Sequence, residues 1–307
     1  PYKRGTNMHQ ALYRKYRPRT FDEVCGQHQI TDVLRYEVEN GRYSHAYLFC
    51  GTRGTGKTTS AKILAKAVNC ENPQNGEPCG KCASCISIDN GTATDVIELD
   101  AASNNGVDDI RDICEQVVYP PASLKKRVYI IDEVHMLSAG AYNALLKTLE
   151  EPPEHVIFIL ATTELQKIPP TILSRCQRFE FRRIQPEDIT ACLLSVAGKE
   201  NINLEKNAAE LLAELADGSM RDSLSLLESC VAAGNGDAIT VETVSRQLGI
   251  AQDGTVAGIL KAVAAHDSAS ALSLLDEYYN SAKSLSLLIE DLVSSIRDIL
   301  IFSAPGM

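Results

Sequence analysis

The sequence predicts an α/β protein: a parallel sheet wrapped by helices, followed by a purely helical region. Three observations carry this. Short β-rich runs alternate with stretches of helical period between residues 44 and 181. A glycine-rich phosphate-loop pattern follows the first of those runs. After Ile184 the strand signals stop and only helix signals remain. Taken in order, the strand runs are Ala46–Cys50, Val96–Asp100, Val128–Ile131, Val156–Ala161 and Arg178–Phe181. Between them, spacings such as Ala61, Leu64, Ala65 and Val68 put apolar residues on one helical face. Five strands alternating with helices imply parallel pairing through crossover helices. The first four runs are apolar almost throughout, so both faces of those strands are expected to be covered. Gln185-Pro186-Glu187-Asp188 then opens a helix, with Pro at the first helical position and acids in the first turn. Further helices are predicted at about 205–216, 220–233, 240–248, 254–265, 268–281 and 284–302, punctuated by Gly234-Asn235-Gly236 and Gly249. The expected domains are 8–184 (α/β), 185–248 (small, all-α) and 249–307 (part of a further helical domain). Residues 1–7, before Met8, read as an expression remnant.

Composition narrows the class. Hydrophobic residues make up 44 % of the chain, enough for a buried core, and the net charge is −10. Bulk electrostatics therefore do not draw the chain to nucleic acid or to membranes, and any DNA contact must come from a local basic surface. No apolar run approaches the roughly 20 residues of a membrane span, and no signal-peptide pattern is read at the start of the sequence. Of ten cysteines, six are scattered singly as small apolar residues usually are, while Cys70, Cys79, Cys82 and Cys85 cluster. Without secretion, such a cluster reads as a metal site in a reducing, cytoplasmic compartment.

The strongest motif is Gly51-Thr52-Arg53-Gly54-Thr55-Gly56-Lys57-Thr58, with a strand before it and a helix after. Glycines let backbone N–H groups turn inward around phosphate oxygens, and the helix N-terminus adds its positive end. Lys57 would reach the terminal phosphates and the Thr58 hydroxyl would hold Mg²⁺, with Thr59 in the same turn. A P-loop needs an acid at the end of another strand, and Val128-Tyr129-Ile130-Ile131-Asp132-Glu133 supplies two. Asp132 is the expected partner of the magnesium ion, and Glu133 the candidate base for the attacking water. Together they predict hydrolysis of a nucleoside triphosphate.

Cys70-x8-Cys79-x2-Cys82-x2-Cys85 offers four thiolates in a tight loop that holds Pro73, Gly76, Pro78 and Gly80. A closed four-thiolate shell is a structural zinc site, whose binding energy would fold a loop with little core of its own. The C-x2-C-x2-C run also matches iron–sulfur spacing, but the C-x3-C-P continuation is missing, which favours zinc. Four reduced, unliganded thiols are the plain alternative.

With these pieces placed, the chain resembles the AAA+ ATPases and, more narrowly, the gamma/tau subunits of bacterial DNA polymerase III clamp loaders. The resemblance runs from Met8 over nearly the whole chain. It rests on Ala11 to Pro18 (ALYRKYRP), Gly51 to Thr58, the cysteine insert, Asp100 to Gly106 (DAASNNG), Asp132 to Leu137 (DEVHML), Ala144 to Pro153 (ALLKTLEEPP), Ser174-Arg175-Cys176 and Gly218 to Asp222 (GSMRD). It implies ATP or ADP, Mg²⁺ and zinc as cofactors, and a bacterial cytoplasmic location. It implies Thr163 as the polar sensor of the γ-phosphate, with Thr162 the neighbouring register. Arg175 is implied as a finger acting on ATP of the adjacent subunit, and Arg221 as a second sensor. The segment around Arg14 is implied to fold over the adenine, with Val24 as an apolar wall. Read alone, Ser219-x-x-Asp222 is a helix cap that puts Arg221 in a first turn. The helix after Ser103-Asn104-Asn105-Gly106 could hold a DNA phosphate, although Asp108 and Asp109 in its first turn oppose that.

The implied partners are other clamp-loader subunits in a hetero-pentameric ring, the sliding clamp and primer–template DNA. Polymerase and helicase would be reached through regions beyond this sequence. On this reading the chain stops within the collar domain, so by itself it is expected to be mainly monomeric and a weak ATPase. The rival expectations are another AAA+ motor, such as a branch-migration motor, and a nucleotide-gated assembly scaffold.

Overall fold

The computed structural model describes residues 10–233, 238–249, 253–280 and 285–303. The expected remnant 1–7 and the Gly234-Asn235-Gly236 punctuation lie outside them. The elements of the first half are α1 (Leu12–Lys15), α2 (His28–Glu39), β1 (Ala46–Gly51), α3 (Lys57–Asn69), α4 (Ala83–Asp89), β2 (Val96–Asp100) and α5 (Val107–Gln116). They continue as β3 (Arg127–Asp132), α6 (Ala139–Glu150), β4 (Val156–Thr162), α7 (Pro170–Leu173) and β5 (Gln177–Phe181). Helices alone follow: α8 (Pro186–Glu200), α9 (Lys206–Leu215), α10 (Met220–Ala233), α11 (Val241–Leu248), α12 (Asp253–Ala264), α13 (Ser268–Asn280) and α14 (Leu285–Ser303).

The five strands form one parallel sheet in the order β2-β3-β4-β1-β5. Strand periodicity divides their side chains between two cores. Tyr47, Phe49, Val128, Ile130, Ile157, Ile159 and Ala161 join the core on the α2 and α3 side. Leu48, Tyr129, Ile131, Phe158 and Leu160 join the core under α5 and α6. Tyr129 and Phe158 stack there at 5.2 Å. This parity decides which way the residues at the strand tips point, and so builds the site.

One strand expectation is corrected. β1, β3 and β4 are buried, but β2 forms the sheet edge and its side chains are largely half-exposed or exposed. Its sequence, Val-Ile-Glu-Leu-Asp, already carries two acids, which suit an edge and not an interior strand.

The chain divides into two compact units. One runs up to Leu193 and takes in Ala213–Ser225; the other comprises Leu194–Leu212 and the residues from Leu226 on. The first therefore includes the start of α10 as well as the sheet, a division that does not coincide with boundaries at 184/185 and 248/249. Hydrogen bonds inside it show why. The Met220 N–H donates to Gly54 O at 3.1 Å, and the Ile184 N–H donates to Gly218 O at 3.2 Å. In the second unit Leu204 bridges Ile239, and Val256, Ile259, Tyr278 and Leu288 form a small core. On α14, Ile289, Val293, Ile296, Leu300 and Phe302 are exposed. Among the described residues no helix is long and apolar enough to cross a membrane.

Candidate active site

The phosphate loop joins β1 to α3, and its glycines are required by geometry. Gly51, Gly54 and Gly56 all have positive φ (147°, 77° and 103°). A Cβ on Gly51 would lie 2.2 Å from Phe181 O, and one on Gly54 only 1.9 Å from Ser219 Oγ. The Lys57 ammonium, 5 % exposed, donates to the carbonyls of Gly51 (2.9 Å) and Thr52 (2.7 Å). Burial lowers its pKa, while the nearby Glu133 and Asp132 carboxylates oppose that shift. Thr55 Oγ1 donates to Thr52 O and ties the loop together.

The second half of the site comes from β3. The Thr58 hydroxyl donates to Asp132 Oδ2 at 2.7 Å, joining residues 74 apart in sequence. Asp132 Oδ1 accepts the Glu133 N–H. A hydroxyl and a carboxylate in contact beside a buried lysine form the hard oxygen set that magnesium takes, so these residues fit that ion. Glu133 sits at φ 48°, ψ 44°, a left-handed conformation uncommon outside glycine, and its carboxylate is turned toward β4. Its Oε2 accepts the Thr163 hydroxyl at 2.9 Å and the Thr163 N–H at 3.3 Å.

Strand parity separates the two threonines. Thr162, fully buried, falls on the α6 side of the sheet, where its Oγ1 lies 3.1 Å from His135 Nδ1. Thr163, one residue on, meets Glu133. An open cleft of about 270 Å³ runs from Gly51 and Thr52 past Thr163 to Gln166 and Arg183.

Against the loop packs the N-terminal segment. Val24 is buried, and a Cβ on Gly56 would lie 3.5 Å from its Cγ1. Arg14 is exposed and turns onto Tyr13, its Nε donating to Tyr13 Oη at 3.2 Å. The arginine that reaches the P-loop helix is Arg17, whose Nε donates to Thr59 Oγ1 at 3.1 Å. α1 is a single turn, and the chain beyond it carries Arg17 across α3 while Arg14 faces solvent. Ser219 Oγ accepts the Asp222 N–H at 3.2 Å, the expected cap, and Arg221 lies 4.9 Å over the Tyr13 ring. Tyr13 is thus a platform between two arginines. The aromatic residue among cations was visible in the sequence, but its partner 208 residues away was not.

Arg175 stands at the α7–β5 corner, donating to Glu150 Oε1 (2.5 Å) and Thr171 O (2.8 Å). The N-terminus of α5 is occupied by its own acid, Asp109, which accepts the Gly106 N–H. A phosphate would have to displace that carboxylate.

The cysteine insert links α3 to α4. All four Sγ atoms lie within 4.8 Å of one another, with Cys70–Cys82 at 4.0 Å and Cys79–Cys85 at 3.9 Å. Tetrahedral zinc with Zn–S bonds of ~2.3 Å sets sulfurs about 3.8 Å apart, so the donor set fits. Backbone N–H groups of Lys81 and Cys82 point at Cys79 Sγ and lower its thiol pKa to about 6. Burial raises that of Cys70. The insert also reaches the N-terminal segment that packs against the P-loop. The Glu77 carboxylate accepts the N–H groups of Phe21 (2.8 Å) and Asp22 (3.0 Å), just before Val24.

The sheet, P-loop, acid-tipped β3 and following helices define the fold of the AAA+ P-loop proteins. A family model described as "DNA polymerase III, delta subunit" matches residues 26–185, and one described as "DNA polymerase III clamp loader subunit, ATPase lid domain" matches residues 188–236. DNA polymerase III subunit tau of Bacillus subtilis is 50 % identical over 97 % of this chain and 53 % of its own length. The Escherichia coli tau subunit is 46 % identical, over 88 % and 42 % respectively. The gamma subunit of Buchnera aphidicola is 43 % identical over 83 % of this chain and 68 % of its own. Among solved structures, the Thermotoga maritima RuvB Holliday junction branch migration motor superposes with a TM-score of 0.56 at 18 % identity, covering 90 % of this chain and 91 % of that one. This likeness is one of fold. The chain belongs to the gamma/tau family of DNA polymerase III clamp-loader subunits. It spans about half the length of the tau relatives it matches.

Proposed function

We propose that this chain is an ATP-hydrolysing motor subunit of a replicative clamp loader, coupling ATP binding and hydrolysis to placement of a sliding clamp on primer–template DNA. The observation that carries the ATPase reading is the 2.7 Å contact from Thr58 to Asp132, which joins the phosphate loop to the acidic tip of β3 with Glu133 adjacent. Gly51 to Thr59 would wrap the phosphates, and Lys57 would exchange two carbonyl acceptors for phosphate oxygens. Thr58 and Asp132 would hold magnesium, which when bound supplies neutralising charge on the phosphates. Glu133 would take a proton from the attacking water once it turns away from Thr163, and Thr163 would report the γ-phosphate. Val24 and the Tyr13–Arg17 segment would close over the base, and Arg221 would approach the phosphates from α10.

Arg175 already pairs with Glu150 at the surface corner, which supports its use on a neighbour's nucleotide and not on its own. A planar, permanently charged guanidinium suits phosphate oxygens there. The partners on this reading are other clamp-loader subunits in a ring, the clamp and DNA. The exposed apolar row of α14 is the kind of surface that supports such assembly. The four cysteines would hold zinc as a structural ion, and the setting would be the bacterial cytoplasm.

The test is Glu133→Gln and Lys57→Ala in the full-length protein reconstituted with clamp and partner subunits. Glu133→Gln should keep ATP affinity and lose turnover by at least ~100-fold, and Lys57→Ala should lose nucleotide binding. Clamp loading should vanish in both. Strand-unwinding activity, or unchanged turnover in Glu133→Gln, would overturn the reading.

A further inference from the structure

Two residues after Glu133, His135 lies almost wholly buried, its side chain 6 % exposed, between the tips of β3 and β4. Its Nδ1 lies 3.1 Å from Thr162 Oγ1 and 3.3 Å from Glu133 Oε2. Its Nε2 lies 3.3 Å from Glu164 Oε1, and the Glu164 N–H donates to Thr162 Oγ1 at 3.0 Å. One ring therefore touches the Glu133 carboxylate, a buried hydroxyl and a second carboxylate. The turn Glu133–Met136 is one round of 3₁₀ helix that begins at the left-handed Glu133, so the ring cannot move far from that carboxylate.

The neutral ring has two hydrogen-bond arrangements. As an Nδ1 donor it holds Glu133 in the position where Thr163 also holds it. As an acceptor of the Thr162 hydroxyl proton, with Nε2–H donated to Glu164, it presents a lone pair to the Glu133 carboxylate and repels it. Thr162 and Glu164 thus select which nitrogen carries the proton, while Thr163 grips the Glu133 carboxylate from the other side of the sheet tip.

We propose that His135 is a positioning residue, and that the Thr162–His135–Glu164 group sets the orientation of the Glu133 carboxylate between a held position on Thr163 and a released one toward the phosphate loop. The inference rests on the reading of Glu133 as the hydrolytic base. His135 touches no nucleotide in this scheme; it acts through Glu133. A carboxylate misplaced by about 1 Å costs on the order of 100-fold in rate, so loss of the ring should appear in turnover and not in affinity.

The experiment measures ATP turnover and the Kd of a fluorescent ADP analogue for full-length wild type, Glu133→Gln, His135→Ala, His135→Asn, Glu164→Gln and the His135→Ala/Glu164→Gln double variant. Thermal melting accompanies each. His135→Ala should lower kcat by roughly 10- to 100-fold with Kd within twofold. His135→Asn, whose amide keeps a polar group at the Nδ1 place, should recover most of the loss. Glu164→Gln should lower kcat several-fold, and the double variant should be no slower than His135→Ala, since both changes disable one device. Wild-type kcat in His135→Ala, a Kd that weakens in step with kcat, or additive losses in the double variant would overturn the proposal. If His135→Ala does not fold, wild-type kcat in both His135→Asn and Glu164→Gln overturns it, and a fall in kcat at unchanged Kd in Glu164→Gln upholds it. If wild type itself shows no turnover, or Glu133→Gln retains it, the reading of the site fails and not only this inference.

Discussion

Replacing Asp95 by Asn should cost the fold about 3 kcal/mol. Asp95 is fully buried just before β2. Its carboxylate accepts N–H bonds from Ala122 (2.8 Å), Ser123 (2.8 Å) and Leu124 (3.0 Å), and it pairs with Arg127 at 3.2 Å. Burial would raise its pKa, but those donors outweigh burial and hold it at about 2, against an ordinary 3.8. A depression of that size is worth on the order of 2–3 kcal/mol at neutral pH. Because the folded-state pKa lies below the unfolded one, that stability is present above about pH 4 and is lost as pH falls from about 4 to 2. The Asn variant loses the charge and turns an NH₂ group onto N–H donors, so the total should be about 3 kcal/mol, within the range of a broken buried pair. Urea unfolding followed by far-UV circular dichroism at pH 7 measures it. The gap between wild type and variant should narrow below pH 4. A loss under about 0.5 kcal/mol, well short of the linkage figure, would refute the reasoning. The loop held by Asp95 leads into β3, whose tip carries Asp132 and Glu133.

Gly54→Ala should lower nucleotide affinity at least about tenfold, because φ 77° and the 1.9 Å approach to Ser219 Oγ leave no room for a Cβ; titration with labelled ADP measures it. Glu77→Ala strands the N–H groups of Phe21 and Asp22, about 1–3 kcal/mol for an unpaired donor. Adenine-nucleotide affinity should fall severalfold while tripolyphosphate binding is unchanged, since the segment that loosens carries Val24 and not the P-loop. Cys79→Ser, or a chelator added to wild type, should release one zinc per chain by atomic absorption and lower Tm, and zinc should restore wild type only. Arg175→Ala should leave nucleotide Kd unchanged and abolish the rise in turnover on assembly with partner subunits.

Much of the fold was legible because its signals are local. Strand runs and helix starts were recovered within a residue or two, since β-rich apolar runs, Pro186 and the acids after it act over a few residues. Gly51 to Thr58, Asp132-Glu133 and the cysteine spacing were equally readable, for each motif packs its chemistry into a short segment. The edge position of β2 was not, because strand order is a property of the sheet and Val96–Asp100 differs from an interior strand only by its two acids. In the segment from Ala11 to Pro18, the guanidinium that meets the P-loop helix belongs to Arg17 and not to Arg14. Nothing local distinguishes it from Arg14.

The sequence by itself determined the element types, the phosphate loop, the acid pair and the four-thiol insert, because each depends on residue type and spacing within one turn or one strand. Tertiary structure alone decided that Thr58 meets Asp132, that Arg221 lies over Tyr13, and that Glu77 holds the chain before Val24. It also decided that Thr162 and Thr163 face different partners: a strand's side chains alternate, and only the packed sheet fixes which face meets α3 and which meets α6. Contacts between distant segments rest on how the sheet and helices pack, which no local pattern encodes.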